Sequence, residues 1–159
     1  MSSNTLGKLI RVFVAVVGLI GLTLCLYIIP MWGCEIISFA PECAGWYWPW
    51  LIYAWLFALP CFGVLVCVWM VSGAVIHETV FTNRTAKRVK TGAVLLMTAA
   101  LLLGGGGMVL AFLNMNTPIM LILSVIGTVF MFTLALLAAV LSRYLTKAAV
   151  LQDESEGTI

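Results

Sequence analysis

The chain has 159 residues, 64% of them hydrophobic and 9% charged, with a formal net charge of +2. A water-soluble domain carries about 45–50% apolar and about 25% charged residues, so this composition excludes a globular domain in water and calls for a lipid solvent. One domain fits the length, and four spans of about 20 residues each leave room only for short connections.

Residues 1–8 are small and polar. The first apolar run, 9–29, is long enough to span and ends at Pro30. Lys8 and Arg11 give it a basic start, but no A-x-A-like cleavage site follows. Leu22-Thr23-Leu24-Cys25 also puts a bulky leucine where a lipoprotein-type site needs a small residue, so the run reads as a retained helix. Residues 31–50 hold Trp32, Trp46, Tyr47, Trp48 and Trp50, side chains that favour the membrane–water boundary because each ring is half apolar and half wet. A second span is expected over 50–76, bent at Pro60, where a backbone donor is missing. Residues 77–90 form the one strongly polar connection, with Thr82 as cap of a short helix carrying Arg84, Lys87, Arg88 and Lys90. A third span follows over 91–113 and contains Gly104, Gly105, Gly106 and Gly107. Residues 114–116 make a tight turn, Thr117 caps, and Pro118 occupies a favourable first-turn position. The fourth span covers 117–142; its helix continues past Arg143 toward Leu151, and a short acidic tail closes the chain over 152–159.

Charge placement orients these spans. Lys8, Arg11, Arg84, Lys87, Arg88, Lys90, Arg143 and Lys147 all fall at the N-terminus, after the second span or after the fourth, three places that share one side. The opposite side has Glu35 and Glu42 but no Lys or Arg. The excess of Lys and Arg on cytoplasmic segments then gives an all-α integral membrane protein. It is expected to be a four-transmembrane-helix bundle of two hairpins with N- and C-termini cytoplasmic, a multi-pass protein of the plasma membrane that is compatible with homo-oligomerisation.

No Asp, Glu, Lys or Arg sits in the middle of a span, which argues against a proton-coupled exporter of the small four-helix type. Cys34 and Cys43 are close in sequence on the oxidising side, where either a disulfide or two free thiols would fit. There is no CxxC pair of the kind that four-helix thiol oxidoreductases use. His77 and Glu78 lack further ligands and read as an interfacial polar pair. The glycine run admits a close-packing face, a flexible break or simple tolerance, with packing favoured because small residues let helices approach. The basic segment sets topology in its simplest reading. It would alternatively bind anionic lipid head groups or dock a cytoplasmic protein. No nucleophile–base pair or metal cluster is evident, so no enzymatic activity, cofactor or metal is expected. A small transporter or channel would have to build its path from Thr98, Ser124, Thr128 and Thr133.

Three stretches together carry a resemblance: Tyr47-Trp48-Pro49-Trp50-Leu51 leading to Leu59-Pro60; Val80-Phe81-Thr82 before the basic segment 83–90; and the ending Leu151-Gln152-Asp153-Glu154-Ser155-Glu156-Gly157-Thr158-Ile159. In this order they resemble a bacterial family of four-helix membrane proteins of unknown function, the YoaS-like group. That group has a proline-bearing second helix, an F-[ST] lead-in to a basic cytoplasmic helix and a tail near L-x-x-E-N-[DE]-L-T-I. Here Gly157 stands in place of the usual leucine. Members are typically encoded beside a small Cro/C1-type helix-turn-helix regulator. The resemblance therefore implies a membrane partner that tethers or inhibits such a DNA-binding regulator without itself binding nucleic acid. Arg84, Lys87, Arg88, Lys90 and the tail would be the docking surface.

Overall fold

The computed structural model describes residues 3–76 and 80–156. Apart from short connections at 40, 80–82 and 113–117 they are helical: α1 (Ser3–Thr23), a π-helical turn (Leu24–Ile28), α2 (Ile29–Phe39), a 3-10 segment (Pro41–Trp46), α3 (Tyr47–Ile76), α4 (Asn83–Phe112) and α5 (Pro118–Glu156). Four stretches are long and apolar enough to cross a membrane: Thr5–Phe39, Pro41–Ile76, Asn83–Phe112 and Pro118–Gln152.

Two boundaries differ from the sequence expectation. The first helix does not stop at Pro30, because the π turn prepares the backbone for it. Ile29 N–H bonds Leu24 O, and Pro30 has no N–H to offer, so the carbonyl of Cys25 is left open. Trp55 Nε1 takes that acceptor at 3.2 Å. The orphan that proline creates thus becomes a bond between the first and second spans. The second difference concerns the basic segment. Residues 83–90 contain neither Gly nor Pro, and they form the first turns of α4 rather than a separate short helix. The Thr82 carbonyl receives the amides of Thr85 and Ala86 at 2.9 and 3.1 Å.

The bundle is open. Among the described residues α1 packs on α3, α3 on α4 and α4 on α5, while α1 and α5 do not meet. Only 6% of the most apolar window of the first and fourth spans is buried, against 28% of the third, so α4 is the spine. Its sequence explains why. Thr85, Gly92, Ala99 and Gly106 recur every seven residues, and so do Ala86, Ala93, Ala100 and Gly107. The first stripe faces α3, with Gly92 against Cys67 and Gly106 against the Tyr53 ring. The second faces α5, where Thr128, Ala135, Ser142 and Ala149 repeat at the same interval. A seven-residue repeat keeps a seam aligned between nearly antiparallel helices, and small side chains bring backbones close where lipid supplies no hydrophobic drive. The helix α1 uses the same period with Gly7, Val14 and Gly21; a Cβ on Gly21 would stand 3.4 Å from the Phe62 ring.

The connection 113–117 is tied down from three directions. Asn114 adopts φ 54, a left-handed conformation that asparagine tolerates at a helix C-terminus. Asn114 and Met115 amides close the turn onto Ala111 O and Leu110 O at 3.0 and 2.9 Å. Trp50 Nε1 reaches Met115 O at 2.8 Å, and Asn116 Nδ2 reaches Gly107 O at 3.2 Å.

Candidate functional site: the basic end

The α3 helix runs to Ile76, and the C-terminal end of a helix carries a partial negative charge. Two arginines meet this end from opposite sides. Arg11 of α1 donates through Nε to Ser72 Oγ at 3.4 Å and lies 5.5 Å over the Trp69 ring. Arg88 of α4 donates to Met70 O at 3.2 Å. A Cβ on Gly73 would stand 3.0 Å from the Arg11 guanidinium, so the glycine leaves the space that Arg11 uses. Neither contact was foreseen from sequence, where Arg11 served to orient the chain and Arg88 was assigned to a docking surface. The available signal was the Ser72-Gly73 pair at the level of Arg11.

The four basic residues do not share one surface. Arg84 and Arg88, one turn apart, line a cleft of about 420 Å³ between α3 and α4, beside Met70, Gly73 and Thr82. Lys90 turns to the other side and lines a groove of about 910 Å³ between α4 and α5. Lys87 is exposed. The groove also holds Arg143 and Lys147, and its apolar walls include Val94, Met97, Ala135 and Ala139. The acidic tail is helical through Glu156, and Glu154 lines the outer rim of this groove. Residues 157–159, His77 and Glu78 lie outside the described residues.

At the opposite, aromatic end Cys34 and Cys43 are both free thiols, and the Cys34 thiol donates to Tyr47 Oη at 3.9 Å. Trp32 and Trp48 are each 64% exposed, as rings in a membrane–water belt would be. A Cβ on Gly33 would stand 2.7 Å from the Tyr47 ring.

The glycine run is divided among three surroundings. Gly106 lies under Tyr53, whose Oη donates to Leu103 O at 2.8 Å. Gly104 and Gly107 face Thr128 and Ser124, at 3.0 and 2.8 Å from where a Cβ would stand, and Gly105 faces open space. The hydroxyls of Thr98, Ser124, Thr128 and Thr133 each donate to a carbonyl three or four residues back in their own helix. Their hydrogens are thus used within the helix, while each oxygen keeps lone pairs to accept with. Among the described residues no group of three or more His, Cys, Asp or Glu is placed to hold a metal ion.

No curated protein and no solved structure matches the chain. A family model described as a protein of unknown function (DUF2975) matches residues 36–159, which takes in the end of α2, all of α3, α4 and α5, and the tail. That match covers most of the chain, including three of its four spans: this four-span membrane protein belongs to the DUF2975 family, whose function is unknown.

Proposed function

We propose that this protein is a non-enzymatic regulatory component of a bacterial plasma membrane, with its basic end in the cytoplasm, that tethers or inhibits a cytoplasmic helix-turn-helix transcription regulator. The observation that supports the reading best is the uninterrupted helix at the basic end. The helix α5 has 39 residues, about 58 Å at about 1.5 Å per residue, against a hydrocarbon core of about 30 Å. The part beyond Ser142, about a third of the helix, follows the apolar run and stands outside the core as continuous helix, beside the first turns of α4. Exposed Arg84 and Lys87 and exposed Tyr144 sit on this platform, fixed relative to the spans. A docked protein would be held in one orientation at the membrane surface. The resemblance to the YoaS-like group supplies the identity of the partner as a Cro/C1-type regulator.

Crosslinked affinity capture from the native host, followed by mass spectrometry, tests this reading. The expected result is enrichment of one small helix-turn-helix regulator. Its yield should fall when Arg84 and Lys87 are changed to Glu and persist when Arg88, which bonds Met70 O, is changed to Lys. Failure to recover any such regulator with folded, membrane-inserted protein would contradict it. The alternative of a small oligomeric transporter or channel would then be addressed by ion flux into liposomes.

A further inference from the structure

The groove between α4 and α5 combines two environments. Its deep half is walled by Val94 and Met97 of α4 and by Ala135 and Ala139 of α5, all inside the candidate spans. Its shallow half is bordered by Lys90, Arg143 and Lys147, each exposed. The nearby hydroxyls are already committed: Thr98 donates to Val94 O, Thr146 to Ser142 O and Ser142 to Ala86 O, each at 2.9 Å. The three cations thus dominate what the groove offers a polar ligand, with Glu154 as the one carboxylate among the described lining residues. From Ala135 to Arg143, where its basic border begins, the groove follows α5 for about 12 Å at about 1.5 Å per residue, within the roughly 15 Å depth of one leaflet's hydrocarbon.

We infer that this groove binds an anionic phospholipid of the leaflet at the basic end, its phosphate held by Lys90, Arg143 and Lys147 and one acyl chain lying along Val94, Met97, Ala135 and Ala139. Charge and depth together select this occupant. Arg143 and Lys147 follow directly on the apolar run of α5, and Lys90 directly precedes that of α4, the level at which basic pockets between spans suit anionic head groups. A soluble protein does not reach the deep half. A second copy in the same orientation would bring its own basic end against these cations. The small side chains that bring α4 and α5 together also leave the shallow recess that a chain fills. The inference is independent of the regulator reading and does not use Arg84 or Lys87.

The test is native mass spectrometry of the full chain released from bilayers of mixed phosphatidylglycerol and phosphatidylcholine. Preferential retention of phosphatidylglycerol is expected. The double change Arg143→Gln and Lys147→Gln should lower its affinity roughly thirtyfold, the factor that two cations at an anionic surface provide. Arg84→Gln with Lys87→Gln should leave retention unchanged. Ala139→Trp, which fills the recess without altering charge, should abolish retention, and circular dichroism identifies a variant that has lost its helices. Soluble glycerol 3-phosphate, an anion without chains, should not displace the lipid. Equal retention of both lipids, unchanged retention in folded Arg143/Lys147 or Ala139 variants, equal loss in the Arg84/Lys87 variant, or displacement by glycerol 3-phosphate would each overturn the inference.

Discussion

The two outer helices of the row are held by different means. The helix α5 lies against α4 along a seam of small residues, Thr128, Ala135, Ser142 and Ala149 opposite Ala86, Ala93, Ala100 and Gly107, and one buried bond, Ser142 Oγ to Ala86 O, crosses it. The helix α1 has glycines on its seam as well, but it is interrupted by a π turn and fastened by polar anchors. These are Trp55 on the Cys25 carbonyl near one end and Arg11 on Ser72 and Trp69 near the other. In lipid, where apolar side chains gain nothing by leaving one another for solvent, association comes from shape or from hydrogen bonds. The α4–α5 seam uses the first and the α1–α3 seam adds the second. Steric change should therefore damage the spine most, and loss of a polar partner should damage α1 most.

The largest effect is expected at Gly106, whose missing side chain is the space occupied by the Tyr53 ring. Gly106→Leu should lower stability by about 3 kcal/mol through overpacking, read as an earlier transition in detergent-titrated unfolding. Arg11→Ala removes a hydrogen bond and the contact over Trp69, a loss of about 1–2 kcal/mol. The Trp69 environment should change in the fluorescence of a variant that keeps only that tryptophan, while the α4–α5 seam stays intact. Gly105→Ala has open space around it and should raise stability by about 0.5–1 kcal/mol, the helical advantage of alanine over glycine. Opposite signs at adjacent glycines would separate packing from flexibility as the reason for the run. The smallest effect is Tyr53→Phe, which deletes the bond to Leu103 O and should cost about 0.6 kcal/mol, typical of a hydrogen bond inside a membrane protein.

Apolar runs and punctuation carried most of the architecture. Four stretches long enough to span are visible in the sequence, and Pro118 starts α5 where a first-turn proline fits. The errors came from reading breakers as stops. Pro30 ends a helix only if the ladder around it is α-helical, and the π turn at Leu24–Ile28 changes that. The basic residues 83–90 read as a short separate helix because they are polar, yet nothing in them interrupts a helix before the third span. The seven-residue recurrence along α4 was present in the sequence but hidden by the four consecutive glycines, which drew the eye to Gly104–Gly107 and away from Ala86, Ala93 and Ala100. The division of Arg84 and Arg88 from Lys90 follows from helical geometry once the segment is known to be helix. The contacts of Arg11 and Arg88 with the end of α3 needed the tertiary arrangement. The regulator reading came from resemblance and has no counterpart in composition or spacing.

The central structural claim is that α4 is the spine of an open row, and disulfide crosslinking in membranes tests it most directly. In a background with the five native cysteines replaced, one variant carries Ala86→Cys with Ser142→Cys across the α4–α5 seam. The other carries Val16→Cys with Leu137→Cys, exposed positions at the same level on α1 and α5. The account predicts rapid intramolecular crosslinking in the first and none in the second. Intramolecular crosslinking between α1 and α5, with the α4–α5 pair unreactive, would contradict it.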